Sequence, residues 1–293
     1  MGGLHILYSH VEVISPESVL DALEALYRYG EDIRIVAGST DISVMLKDAH
    51  IRENKFLDLS HVDNLRYIKA GKDGMIHIGA LATYGDCTRN RVLRKRARIL
   101  LDSVETIGSP QIRNLATVAG NLGNASPAGD AIPPLFVLDA KVVLESKSEK
   151  REISIEQFFS GYRKTVRKPT ELIGEISFHP VTQGELTFFR KLGLRHANAI
   201  AVASVAFWGK RDGDTFSQAR IALGAVAPTV IRARRAEEIL VRATLTPEKM
   251  REVAKTCAEE SSPISDIRGT AAYRRQAVEA LTYIGLMDTA RAL

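Results

Sequence analysis

One run, Ile112 to Asp130, sets three glycines, three asparagines and a Ser-Pro between apolar segments, a composition suited to ligand binding. That composition predicts a backbone turning tightly inside a folded domain, because Gly and Asn tolerate positive φ and small side chains let N–H groups approach a ligand. Successive N–H groups facing one concavity bind anions, and Thr117, Asn121 and Ser126 add side-chain partners. A diphosphate is the natural guest. A loop that only connects strands is the competing reading. At its end, Asp130-Ala131-Ile132-Pro133-Pro134 reads as an N-cap followed by Pro in the first turn of a helix. A second small polar turn, Gly38-Ser39-Thr40-Asp41, follows the β-rich run Ile33 to Ala37. Strand ends are where α/β proteins bind phosphate, so two such turns say more than one.

Ser15-Pro16-Glu17-Ser18 opens a helix carrying Val19, Leu20, Leu23 and Leu26, and Gly30 ends it. Strands are expected at Phe56–Ser60, at Tyr67–Ala70 and Met75–Gly79 around a Gly71–Gly74 hairpin, and at Lys141–Ser146 with Arg151–Ile155 as its partner. Glu171–Phe178 is the last strand before Pro180 and Gly184, which mark a domain boundary. Beyond it, three strands (186–191, 200–208, 219–226) and helices over 233–242, 247–260 and 270–292 predict an α+β unit.

With 293 residues, 45% of them hydrophobic, the chain can bury a substantial core and suggests two domains. No apolar run is long enough to cross a bilayer, and Met1 to Tyr8 lacks the pattern of a secretory signal, so a cytoplasmic protein is expected. Cys87 and Cys257 are far apart and lack metal-ligand spacing, which argues against a disulfide framework or an iron–sulfur cluster made by this chain alone. Thr88–Leu101 reads as one basic helix with Arg89, Arg91, Arg94, Lys95, Arg96 and Arg98. No aromatics interleave with those charges to stack on bases, so a solvated or protein-docking face is expected rather than nucleic acid. His77 falls on the polar face of its strand. No Ser-His-Asp or paired-carboxylate constellation stands out.

Several separated segments resemble the flavin-carrying medium subunit of the molybdenum hydroxylases, the group of xanthine dehydrogenase and molybdenum-type carbon monoxide dehydrogenase. Ala37-Gly38-Ser39-Thr40-Asp41 is similar to the family's first flavin turn, and Thr117-Val118-Ala119-Gly120-Asn121 to its second. Ser126-Pro127-Ala128-Gly129-Asp130 resembles the Ser-Pro-x-x-Asp that follows. Phe159–Thr165, Arg220–Thr229 and Pro263–Arg275 are similar to three further signatures.

The resemblance implies an α+β, vanillyl-alcohol-oxidase-type fold. An FAD-binding domain over 1–178, in two α/β subdomains split near 60, would precede a C-terminal three-stranded sheet with helices over 184–293. It implies that backbone groups of Ala37 to Thr40 and of Ala119 to Asn121 hold the FAD diphosphate and that Asp130 hydrogen-bonds a ribose. It also places Lys191 near the flavin and packs Ile173 by the isoalloxazine ring. Ser39 and Ala119 replace family glycines, so a position needing positive φ would be strained there. Neither turn carries the His of covalently linked relatives, so the FAD is expected to be non-covalent. Electrons would come from a molybdenum cofactor on a large partner, through two-iron clusters on a small one, and leave to NAD, quinone or oxygen. The alternative is a free-standing flavin oxidoreductase with a base drawn from His77, His179 and His196.

Overall fold

The computed structural model describes residues 11–48, 51, 53–195 and 197–291. His196 and the N-terminal Met1–Tyr8 segment lie outside them. The chain opens with β1 (Glu12–Ile14), α1 (Val19–Tyr29), β2 (Arg34–Val36), α2 (Ile42–Lys47) and β3 (Lys55–Asp58). The expected boundaries of α1 have visible causes: the Ser18 hydroxyl accepts from the Asp21 N–H at 3.1 Å, and Gly30 turns the chain out at φ 53°. The three strands form a parallel sheet in the order β1-β3-β2. Ala22 and Leu26 of α1 are buried completely.

The next unit begins with β4 (Ile68–Ala70) and β5 (Ile76–Gly79). The basic run expected as one helix is three: α3 (Tyr84–Arg89), α4 (Arg91–Arg96) and α5 (Arg98–Val104). Asn90 causes the first break, because its Oδ1 accepts from the N–H groups of Val92 and Leu93 and so starts a new helix. The basic side chains lie outward as expected, with Arg89 on Asp86 and Arg98 on Asp102 and Glu105. Helices α6 (Pro110–Leu115), α7 (Val118–Asn124) and α8 (Ile132–Val137) follow. Then come β6 (Lys141–Glu145), β7 (Lys150–Ser154), the short α9 (Ile155–Phe158), the hairpin β8 (Phe159–Gly161) and β9 (Lys164–Thr165), and β10 (Leu172–Phe178). Phe158 belongs to the core while Tyr162, at the hairpin tip, is exposed. The large sheet of this unit runs β4-β5-β10-β6-β7 and is antiparallel throughout.

The C-terminal unit holds β11 (Glu185–Gly193), β12 (Ala201–Asp212), β13 (Thr215–Gly224) and β14 (Ile231–Arg232), then α10 (Arg234–Leu240), α11 (Pro247–Glu260) and α12 (Ala271–Ala290). Its sheet has four strands rather than three, because the two-residue β14 adds itself to the edge of β13. Residues 200–208 alternate small and larger apolar side chains, and both sets are used. Phe188, Val205, Phe207, Ile221 and Leu223 face the three C-terminal helices, whereas Phe189, Ala206, Trp208 and Ala222 join the core of the preceding units. A sheet buried on both faces uses both sets of a period-two strand. The same parity sends Arg190 toward α12, where it pairs with Asp288 at 2.7 Å, and Lys191 the opposite way. Among the described residues no helix is long and apolar enough to cross a membrane.

His77 sits on β5 in a polar chain on the sheet face. Its Nδ1 meets Glu175 at 2.8 Å, its Nε2 meets Asp73 at 3.1 Å, and the Tyr67 hydroxyl donates to Glu175 at 2.6 Å. Burial works against charge on His77, but the Glu175 and Asp73 carboxylates outweigh it and raise the imidazole above its ordinary value. A group whose folded pKa is raised stabilises fully below its unfolded value, about 6.5, and stops doing so as pH rises through the folded value. Burial opposes ionisation of Glu175, yet Tyr67 and His77 hold it low, so its charge persists in mild acid. His77→Gln is therefore expected to destabilise by about 1 kcal/mol at pH 5 to 6. Paired thermal melts should show that gap shrinking above neutrality.

Candidate functional site

The two turns singled out in the sequence lie against each other. A Cβ on Gly38 would stand 1.8 Å from the Leu115 carbonyl oxygen and 3.0 Å from the Ala116 nitrogen, so only glycine permits this approach. Ala116 in turn accepts the Tyr84 N–H at 2.9 Å, and Thr83 bridges Thr117, tying the start of α3 to the second segment. Ser39 adopts φ 59°, which places the strain expected of a non-glycine residue in this turn at that position. The turn continues into α2 through Ser39, whose carbonyl accepts the Ser43 N–H and whose hydroxyl pairs with that of Ser43 at 2.9 Å. Ala37 packs on the core, and Thr40 is partly buried. Asp41 precedes α2 without capping it; burial raises its carboxyl above the ordinary range, with the Arg163 cation pulling back.

The expected loop over 112–130 is mostly helix. Its Gly and Asn residues sit largely in α7, which Thr117 starts by accepting the Gly120 N–H at 2.9 Å, and Val118 and Leu122 bury that helix in the core. Capping and burial override the low helix propensity of the run. Ala119 is helical and buried, so it carries no positive φ; the left-handed residue is Ala125, at the helix end, with φ 48°. Asp130 is not an N-cap either. Ala131 occupies that position without a side-chain bond, while the Asp130 carboxylate turns inward to Lys191 Nζ at 2.6 Å.

That ion pair is the most enclosed charged contact of the site, with side chains 8% and 6% exposed. The Lys191 ammonium also donates to the Thr106 carbonyl at 3.2 Å, so a β11 residue is anchored to the end of α5. Burial pushes the Asp130 carboxyl up to about 6, against the pull of Lys191. Its other oxygen, Oδ1, is buried and unpaired, and so is Oδ1 of Asn121. Gly129 keeps Asn121 in place, since a Cβ there would come within 2.9 Å of that same oxygen. The Ser126 hydroxyl accepts the Ala128 N–H at 3.3 Å. Ile173 reaches α7 by a bulge at Gly174 and lies 3.6 Å from where a Gly123 Cβ would stand.

Two groups of contributors carried only a general signal in the sequence. Arg163, at φ 52°, donates to Asn124 at 2.9 Å and brings the β8–β9 hairpin to the end of α7. The C-terminal signature also reaches the site. Buried Arg274 donates to the Ala225 carbonyl at 2.9 Å and pairs with Asp266, and the Ala225 N–H donates to the Pro127 carbonyl at 2.8 Å. The Arg268 guanidinium beside Asp266 holds that carboxyl far below its usual range. Among the described residues no cluster could hold a metal ion, and both cysteines are free and buried.

Two family models divide the chain between them. The FAD binding domain in molybdopterin dehydrogenase matches residues 9–180, and the CO dehydrogenase flavoprotein C-terminal domain matches 188–289. The chain is 30% identical to the glyceraldehyde dehydrogenase medium chain of Sulfolobus acidocaldarius, over 97% of its own length and 98% of the relative's. It is 29% identical to the nicotinate dehydrogenase FAD-subunit of Eubacterium barkeri, covering 94% and 96%. In three dimensions it is similar to a chain of carbon monoxide dehydrogenase from Hydrogenophaga pseudoflava, with a TM-score of 0.92, 27% identity and coverage of 95% and 96%. The fold, the paired turns and these matches agree: this chain belongs to the family of FAD-binding medium subunits of the molybdenum hydroxylases.

Proposed function

We propose that this chain works in a heteromeric molybdenum hydroxylase of the cytoplasm. It would carry FAD non-covalently between the Ala37–Asp41 and Thr117–Asp130 segments. Substrate would be oxidised at a molybdenum cofactor on a large partner, and two-iron clusters on a small partner would pass the electrons here, for delivery to NAD, quinone or oxygen. When bound, FAD supplies the ability to accept electrons singly and release them in pairs. The observation that carries the reading is the buried Asp130–Lys191 pair with unpaired Asp130 and Asn121 oxygens beside it. Buried acceptors left open are costly, and the hydroxyl-rich chain of a dinucleotide satisfies them.

The residues then have distinct duties. Backbone groups of Ala37, Gly38, Ser39 and Thr40, and of Ala119, Gly120 and Asn121 in the first turn of α7, hold the diphosphate, the Gly120 and Asn121 N–H groups sharing it with Thr117, to which both already donate. Asp130 accepts from a ribose hydroxyl, and Lys191 keeps that carboxylate charged and oriented. Ile173 packs by the flavin ring and excludes water. Among the described residues the hydrogen-bond partners of the Asp130–Lys191 pair include no histidine. His77 is committed to two carboxylates, and His179 lines a separate cleft with Trp208 and Arg220. Of the three candidate bases of the free-standing alternative, these two are placed away from the Asp130–Lys191 pair, and His196 lies outside the described residues.

The Asp130 assignment has a pH consequence. Protonation near pH 6 removes the acceptor charge, so FAD affinity is expected to fall by up to about tenfold per pH unit below that point. Fluorescence titrations across pH 5 to 8 would show this dependence in the native chain and a nearly flat profile in Asp130→Asn. The wider proposal is tested by purification from the native source under mild conditions. Recovery with FAD, a molybdenum chain and a two-iron chain supports it; turnover by this chain alone, without partners, overturns it.

A further inference from the structure

Tyr84 was not among the residues expected at the site, yet it occupies the junction of both turns. It is the first residue of α3, its N–H is bonded to the Ala116 carbonyl, and Gly38 packs against the Leu115–Ala116 peptide. The side chain is 2% exposed, among the largest buried side chains of the protein. Its hydroxyl makes no hydrogen bond to any described residue. The charges of Asp130 and Asp41, one from each candidate segment, both act on this phenol. A buried Tyr normally finds a partner for its hydroxyl, and one aimed into apolar core would be better served by Phe.

We propose that the Tyr84 hydroxyl donates a hydrogen bond to bound FAD, at an oxygen of its sugar–diphosphate part. The Asp41 and Asp130 carboxylates of the two segments cannot donate when ionised, whereas a phenol can. Burial, followed by Asp130, Cys87 and Asp41, raises the Tyr84 hydroxyl well above its ordinary pKa and keeps its proton in place across the working range. Tyr84 is thus a binding residue that supplies a neutral donor where the neighbouring side chains are acceptors. This inference rests on the assignment of the two segments to FAD.

The test uses the full chain freed of flavin and compares it with Tyr84→Phe. FAD affinity is read by fluorescence titration, ADP affinity by competition, and stability by thermal melting of the flavin-free form. Loss of one hydrogen bond to a charged or sugar oxygen is expected to weaken FAD about tenfold to a hundredfold and ADP by a similar factor. The flavin-free melting temperature should be unchanged or slightly raised. Equal FAD affinity in both proteins overturns the proposal, as does a lowered flavin-free melting temperature, which would show an internal partner for the hydroxyl. Weaker FAD with unchanged ADP would put the bond at the flavin end and overturn the location. Failure of the native chain itself to bind FAD would instead sink the underlying assignment, an outcome the same titration separates from the others.

Discussion

Gly38→Ala is expected to destabilise the protein by more than about 3 kcal/mol and to lower its melting temperature by at least about 6 °C. The added methyl would meet the Leu115 carbonyl at 1.8 Å, and the neighbouring atoms at 2.5 and 3.0 Å are also backbone. No rotamer change relieves such a contact; one of the two turns has to move. Separation of the turns would also break the cradle proposed for the diphosphate, so FAD affinity should fall about a hundredfold or more, the equivalent of that strain. Gly161→Ala is the control, because nothing lies within 4 Å of its Cβ position, and stability there should stay within about 0.5 kcal/mol. Calorimetry and FAD titration of both variants check the contrast.

The second large effect belongs to Arg274, which lies outside both candidate segments yet reaches the site through one intermediary, Ala225. The Arg274 side chain is 2% exposed and joins the Ala225 carbonyl to Asp266, while the Ala225 N–H holds the Pro127 carbonyl. Arg274→Met leaves a buried carbonyl and a carboxylate without that cation, and breaking a buried pair from one side costs about 3–5 kcal/mol. The melting temperature should drop by about 6–20 °C. Ala225 is held at φ 64°, so losing its anchor should also loosen the 126–129 turn and weaken FAD binding. Arg274→Lys should not restore stability, because a single ammonium cannot reproduce the guanidinium fork that spans both partners. Melting of the two variants side by side checks this.

Much of the fold is legible wherever one local cause dominates. Ser18 and Gly30 bound α1 by capping and by a left-handed exit. The strands of the two larger antiparallel sheets follow their apolar runs, and the alternation in 201–208 records a sheet buried on both faces. The paired turns are legible because a glycine and small polar residues leave few other uses for a strand end. What escapes the sequence depends on contacts distant in the chain. The glycines and asparagines of α7 suggest a loop, but burial of Val118 and Leu122 and the Thr117 cap make a helix. Asp130 resembles a cap, yet Lys191, on β11 of the C-terminal unit, claims its carboxylate. Strain is expected at Ser39 and Ala119; it falls at Ser39 and at Ala125, since a helix end rather than the substituted glycine sets the second position. Tyr84 gives no signal at all, because a buried aromatic at a helix start resembles any core residue.

The most direct measurement is an FAD titration of the flavin-free chain followed by acid precipitation of the saturated protein. One FAD per chain is expected, with all the flavin recovered in the supernatant as intact FAD. Flavin retained in the pellet would rule out non-covalent binding, and absence of saturable binding would overturn the assignment of this chain as the FAD carrier.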